Sequence, residues 1–282
     1  MEIFIPATLA NFGPGMGSMG IPLSVGLTIE VGAPTQAWTV TDPFDGVYGI
    51  NEKHYMVQIA NNLAPQITPH AIEIKADLPT WANMGVQDAL ILGGIELANQ
   101  LGQLNLDDFT KLTLAARTAQ DPAHVAAALL GQPTVSYLEQ GDVYASGFVF
   151  PQYGILLYIP ENDATVKTPV PESVSYTDAV AANAGGNMLM AAWQNQQVQL
   201  AGQLLENDHL QPEAPENKAL LSIRQAAHAL GVYGTVLLEK GPLVGTFVAP
   251  EQMQDLQDVL AYVALDGYLE PISMGTRGIT VN

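Results

Sequence analysis

A glycine- and proline-rich segment directly after the first predicted strand constrains this chain more than any other feature. Residues 2–5 have the composition of a strand, and the following segment Pro6–Gly20 contains four glycine residues and two prolines. Glycine tolerates left-handed backbone angles and proline lacks a backbone donor, so this composition suits neither a helix nor a long regular strand. The segment therefore predicts a tight loop whose backbone comes close to another group. An ordinary connection between two strands explains the same spacing equally well.

The composition limits the remaining function classes. The 282 residues are 48% apolar and 13% charged, which is enough to fold one large domain or two smaller ones on a shared core. The formal net charge is −19 and the sequence has no basic run, so we expect no nucleic-acid partner. The absence of cysteine excludes disulfides, thiolate zinc sites and cysteine nucleophiles.

The sequence gives no sign of a membrane or metal protein. The N-terminus lacks the basic and then apolar layout of a signal peptide, and no apolar window is long enough to span a bilayer. We therefore predict no membrane association and a cytoplasmic location. The histidines other than His124 show no ligand spacing, which predicts no metal site.

Hydrophobic periodicity predicts strands and helices in a mixed order that does not repeat as βαβ. This order favours an α+β fold with a boundary near 150–160 and a polar linker at 161–175. The predicted strands are 2–5, 27–32, 70–76 and 145–159, with a hairpin at 233–249. The predicted helices are 88–102, 107–117, 122–130, 176–206, 216–230 and 251–264.

The loop Pro6–Gly20 resembles the opening motif of homoserine kinases, which belong to the GHMP kinase superfamily. The coinciding positions are Pro6, Ala7, Thr8, Ala10, Asn11, Gly13, Pro14, Gly15, Ser18 and Gly20. In that family the loop lines the homoserine pocket, so the resemblance implies a substrate pocket that contains Thr8, Asn11, Gly13, Gly15 and Gly17. The family has an aspartate at the last of these positions. Gly17 therefore removes a carboxylate that could pair with a substrate ammonium group.

The segment 78–90 resembles the family's phosphate loop, which opens a helix. A helix N-terminus can bind an anion through its free backbone amides and its dipole. The resemblance implies a vestigial phosphate loop made of Pro79, Asn83, Met84, Gly85, Val86, Gln87 and Asp88. The family's paired serines are Val86 and Gln87 here, and the alanine that follows them is Asp88. We expect Asp88 to cap its own helix and Trp81 to fill space left by a nucleotide.

Two further motifs keep their packing residues and lose their chemical ones. In 119–131, Ala119 stands where the family has its magnesium-associated glutamate, and Ala123 and His124 replace an aspartate and an asparagine. In 231–243, Gly241 and Pro242 persist from a glycine-rich turn. These five residues are predicted to support the site. Lys167 and Arg277 fall where the family carries arginines, and either could bind a substrate carboxylate or be a solvated surface cation.

The resemblance covers nearly the whole chain and implies a two-domain GHMP kinase fold. It implies an N-terminal domain at 1–152, like domain 2 of ribosomal protein S5, and a ferredoxin-like C-terminal domain at 153–282. The family reaction is ATP-dependent phosphorylation of L-homoserine to O-phosphohomoserine, in threonine biosynthesis. Because several phosphate and magnesium positions have changed together, we expect weak or lost activity and assign no catalytic residue.

Three alternatives remain open at this point. The chain could be an active homoserine kinase that holds Mg-ATP by unusual contacts, with Mg-ATP as its cofactor. It could be a regulatory pseudokinase that binds a small amino-acid-like ligand. It could also be a transferase with a changed substrate, since Asn11 beside Gly17 suits a ligand without an amino group. The sequence leaves a homodimer open as well.

Overall fold

The computed structural model describes residues 1–77, 84–161, 172–209, 217–238, 241 and 243–282. The strands are β1 (Glu2–Ala10), β2 (Met19–Pro34), β3 (Thr39–Thr41), β4 (His70–Ala76), β5 (Thr134–Glu139), β6 (Asp142–Gly147), β7 (Gly154–Pro160), β8 (Thr235–Leu237), β9 (Val244–Val248), β10 (Gly267–Ser273) and β11 (Thr280–Val281). The helices are α1 (Tyr55–Leu63), α2 (Val86–Gly102), α3 (Asp108–Ala119), α4 (Pro122–Leu130), α5 (Tyr176–Gln194), α6 (Val198–Leu205), α7 (Lys218–Ala229) and α8 (Met253–Leu260).

The chain divides into two compact units. Unit 1 comprises 1–9, 20–147 and 275–282, and unit 2 comprises 10–19 and 148–274. Each unit has its own sheet and helices, and the strands pair mainly antiparallel, so the predicted α+β class is confirmed. None of the helices within the described ranges combines the length and apolar character needed to cross a bilayer.

Unit 1 is built on a seven-stranded sheet that α2 covers. The sheet has the order β11-β1-β2-β4-β3, and β5 joins it by pairing with both β2 and β6. Almost every residue of α2 from Val86 to Asn99 is buried, because this helix lies in the core of the unit. Gly93 and Gly94 allow α2 to lie close to the elements packed against it. A Cβ at Gly93 would lie 2.6 Å from Ile29 Cδ1, and one at Gly94 would lie 2.6 Å from the Met56 carbonyl oxygen.

Unit 2 packs helices on a four-stranded antiparallel sheet with the order β10-β7-β9-β8. Strand β7 (Gly154–Pro160) is central and apolar, as expected for a strand covered by helices. A group of aromatic rings in this unit surrounds Trp193, which is fully buried. Phe12 belongs to this group through a 5.4 Å contact with the ring of Phe247, so the loop after β1 is anchored in unit 2.

Candidate functional site

Three of the sequence motifs converge at one buried point in unit 1. Thr8 Oγ1, at the end of β1, and His124 Nδ1, in α4, share a hydrogen bond of 2.7 Å. The Thr8 amide also donates to the Met84 carbonyl oxygen, at 3.2 Å. A Cβ built on Gly85 would lie only 2.4 Å from Thr8 Oγ1 and 2.9 Å from His124 Nδ1. The structure therefore brings together Thr8, Met84, Gly85 and His124 and leaves no room for a side chain on Gly85.

The N-terminus of α2 carries a negative side chain at the position implied for phosphate. Its N-cap residue is Gly85, with φ of 70°, so the expectation that Asp88 would be the cap was wrong in position. Glycine at the cap follows from the crowding by Thr8 and His124. Asp88 instead lies in the first turn, where the helix dipole favours a carboxylate. Val86 is buried, and Gln87 is exposed.

The electrostatic effect of Asp88 is visible at a neighbouring tyrosine. Burial raises the pKa of the Tyr48 hydroxyl, and the negative charge of Asp88 raises it further. The Asp88 carboxylate, in the first turn of α2, therefore opposes additional negative charge close to it. A phosphate group bound by the backbone amides of this turn would have to overcome the repulsion from Asp88.

The magnesium positions implied by the resemblance do not fit that ion. Mg²⁺ takes oxygen ligands in a strict octahedral geometry. Ala119 ends α3 and Ala123 is fully buried in α4, where its carbonyl oxygen would lie 2.2 Å from a Cβ on Gly20. Neither alanine side chain has an oxygen, and the same is true of Val86. Within the described ranges, no cluster of three or more acidic or histidine side chains could hold a metal ion.

The part of the glycine-rich segment from Ala10 to Met19 lies in unit 2. Asn11 adopts a left-handed φ of 55°, and its Oδ1 accepts a hydrogen bond of 2.9 Å from the Gly17 amide. Gly13 is buried against α6, where a Cβ would lie 2.8 Å from the Leu205 carbonyl oxygen. Gly15 is also buried, and its carbonyl oxygen accepts from the Ser18 amide and hydroxyl. Gly17 has φ of 71° and no atom within 4 Å of a Cβ position, so its surroundings are open.

Some predicted site residues lie elsewhere or outside the described residues. The Arg277 guanidinium stacks on the Phe4 ring at 4.5 Å in unit 1, a cation–π contact. Gly241 has φ of 82° and donates its amide to the Leu238 carbonyl oxygen at 2.7 Å, as in a tight turn. The positions outside the described residues are Pro79, Trp81, Asn83, Lys167 and Pro242.

Sequence reasoning overlooked a second buried histidine in unit 1. His54 is completely buried, and its Nε2 lies 3.4 Å from Asp42 Oδ2. Tyr48, which is affected by Asp88, belongs to the same stretch of chain. The sequence signal for this buried histidine was its position directly before the apolar pattern of α1. Since α1 was not predicted, the signal was not used.

Comparisons with known proteins support the resemblance over the full length. No family model matches the chain. A homoserine kinase from Limosilactobacillus fermentum is 33% identical over 287 aligned positions that cover 100% of both chains. A solved structure from Listeria monocytogenes that carries a homoserine kinase assignment is 31% identical, has a TM-score of 0.89, and covers 99% of this chain and 98% of the other. A mevalonate diphosphate decarboxylase from Staphylococcus aureus, 13% identical over 99% of this chain and 96% of its own, has a TM-score of 0.73 and shares the fold.

Proposed function

Because this chain belongs to the homoserine kinase family, we propose that it keeps the family's fold and binds a small amino-acid-like ligand, while its ATP-dependent phosphorylation is weak or lost. The observation that carries this proposal is the first turn of α2. Val86 is buried there, Asp88 adds a negative charge, and neither supplies a hydroxyl for phosphate. Phosphoryl transfer depends mainly on positioning and on neutralising phosphate charge, so these changes act directly on the chemical step.

A second candidate is an active homoserine kinase that reaches Mg-ATP by other contacts. Full-length relatives named homoserine kinase favour it, at 32–33% identity. The left-handed Gly85, followed by the N-terminus of α2, also remains a geometry that suits an anion. The two candidates differ in whether Mg-ATP binds despite the negative charge of Asp88.

Two measurements separate the candidates. Turnover of Mg-ATP with L-homoserine would be measured from the release of ADP. Binding of Mg-ATP would be measured by calorimetry. We expect turnover far below the kcat of about 1–100 s⁻¹ typical of kinases. A kcat of about 1 s⁻¹ or more would contradict the proposed loss of activity and favour the second candidate.

The charge argument has its own test in the variant Asp88→Asn. Removing a like charge near the phosphate should strengthen Mg-ATP binding at least severalfold, because close charges interact strongly in a partly buried site. Asp108→Asn is the matched control, since Asp108 is also an acidic residue in the first turn of a helix, α3, and is exposed. Equal effects of both variants, or no effect of Asp88→Asn, would show that Asp88 does not exclude the nucleotide.

A further inference from the structure

The segment between β3 and α1, residues 42–54, forms a strap whose two ends meet in the core of unit 1. Asp42 starts it and His54 ends it, and their side chains face each other at 3.4 Å. Between them the Tyr48 carbonyl oxygen accepts from the Tyr55 amide at 2.7 Å, which folds the strap back onto the start of α1. The Asn51 side chain holds it to β3 by accepting from the Val40 amide at 3.0 Å.

His54 is an unusual group to bury at this position. It is 0% exposed, and neither ring nitrogen has a hydrogen-bond partner among the described residues. A neutral imidazole has one donor and one acceptor, and a protonated one has two donors and a charge. Burying unpaired polar groups costs free energy, and burying an added charge costs more. The side chain is therefore packed in its neutral form.

Burial and one nearby charge have opposite effects on the pKa of His54. Burial lowers the pKa of His54, and the Asp42 carboxylate works in the opposite direction without overcoming it. Asp42 is itself engaged, since its Oδ1 accepts from the Phe44 amide at 2.7 Å. Glu52 and Lys53, which precede the histidine, are exposed, and Asp88 of α2 acts on Tyr48 instead. Among the described residues, the Asp42 carboxylate is thus the one charged group that acts on the His54 pKa.

We propose that His54 is a pH-sensitive latch that keeps the 42–54 strap closed while its imidazole is neutral and releases the strap when it takes up a proton. Opening exposes the ring to water, where the charged form is stable. It also withdraws Tyr48 from the neighbourhood of Asp88, so the strap couples acidity to the environment of the α2 N-terminus. The latch is independent of the proposed function, because opening is a property of the unliganded chain.

The direction of the pH effect follows from linkage. The closed state has the lower His54 pKa, so the open state binds more protons between that value and the ordinary value near 6.5. The free energy that favours closure is therefore greatest above about pH 6.5 and decreases as the pH falls below it. One proton per opening event gives at most about a tenfold rise in the opening constant for each pH unit.

Hydrogen exchange measured by mass spectrometry on the full chain tests this inference. Exchange rates of peptides from 42–54 would be corrected for intrinsic rates between pH 5 and 8 and compared with peptides from α4. We expect the opening constant of the strap to rise severalfold or more below pH 6.5 in the wild-type protein. His54→Gln should remove most of this dependence, and His70→Gln, a half-buried histidine of the same unit, should leave it unchanged. A strap whose opening constant does not vary with pH, or varies equally in His54→Gln, would overturn the proposal.

A second measurement needs no substitution at His54. An NMR titration of the wild-type His54 ring protons gives its midpoint directly, and we expect a value below that of an unperturbed histidine. The variant Asp42→Asn should move the midpoint lower still, since it removes the charge that favours protonation. A wild-type midpoint at or above about 6.5 would overturn the latch.

Discussion

At the scale of single residues, the crowding of Gly85 makes the sharpest prediction. We expect Gly85→Ala to destabilise unit 1 by about 2–4 kcal/mol, since a Cβ 2.4 Å from Thr8 Oγ1 must displace a buried hydrogen bond and a left-handed φ penalises alanine. Urea unfolding followed by circular dichroism measures the change. Loss of the Thr8–His124 contact would also appear as faster amide exchange at the start of α2.

Gly46→Ala is the matched control for this prediction. Gly46 also has a left-handed φ, of 78°, and the nearest atom to its Cβ position is 3.9 Å away, so alanine there meets backbone strain without a clash. We expect a cost of about 1 kcal/mol, typical of an alanine in the left-handed region. Similar costs at the two glycines would mean that the Thr8–His124 pair moves easily and does not restrict Gly85.

Single residues also show where the sequence was informative. The resemblance indicated Thr8, Gly85 and His124 separately, each within its own motif. Their meeting point depends on β1, α2 and α4 packing in one unit, which no local pattern contains. Asp88 was predicted as a cap because its type suits one, but the tight space around Gly85 makes glycine the cap and moves Asp88 into the first turn. A propensity is a local quantity, and tertiary crowding overrode it here.

At the scale of elements, a buried ion pair links α2 to α3. Lys111 Nζ lies 2.7 Å from Glu96 Oε2, and Glu96 is almost fully buried. Burial acts to raise the pKa of Glu96, but hydrogen bonds from Gln100, Lys111 and Asn99 outweigh it and lower the pKa overall. We expect Lys111→Met to destabilise unit 1 by about 3 kcal/mol at pH 7, because it leaves the carboxylate buried without its cation.

Lys75→Met provides the comparison for the ion pair. Lys75 pairs with Glu30 across β2 and β4, but both side chains are largely exposed, and exposed pairs contribute little. Its loss should leave the urea midpoint nearly unchanged, whereas that of Lys111→Met falls clearly. A second expectation concerns the pH. The difference in urea midpoint between the wild-type protein and Lys111→Met should vanish as the pH falls through the Glu96 pKa, because the protonated carboxyl no longer needs its cation. Equal midpoints for the two variants would show that the buried pair does not hold α2 to α3.

The predicted elements were most accurate where an apolar face is long and regular. Helices predicted at 88–102, 107–117 and 122–130 agree with α2, α3 and α4 to within two residues at every end. The single helix predicted for 176–206 is two helices, because Gln196 turns the chain with a left-handed φ of 57°. Strand β10 was missed because few of its residues are apolar. Helix α1 was missed although it has nine residues, as many as α4, which was predicted.

At the scale of the whole molecule, the chain is shared between the units in a way the sequence does not reveal. Residues 10–19 belong to unit 2 although they start at the last residue of β1, and residues 275–282 return to unit 1 after the whole of unit 2. The prediction of domains at 1–152 and 153–282 assumed that each domain is one continuous segment of chain. It stays a prediction. The sequence pattern marks no domain boundary at residue 10 or 275, because both crossings occur within loops or at strand ends.

The returning C-terminal segment gives the last prediction, since it supplies β11 at the edge of the large sheet. The Glu2 and Asn282 backbones exchange two hydrogen bonds of 2.9 Å, and Phe4 pairs with Thr280. Deleting residues 280–282 should therefore destabilise unit 1 by about 1–3 kcal/mol, by removing backbone bonds and exposing the edge of β1. Hydrogen exchange should accelerate in α2, whose core packs on that sheet, and stay unchanged in α7 of unit 2. Val281→Ala is the control, because it trims a partly exposed side chain and keeps the backbone pairing, so its effect should be small. If the deletion accelerated exchange equally in α7, the two units would unfold as one cooperative body, and the terminal strand would stabilise the whole chain instead of one unit.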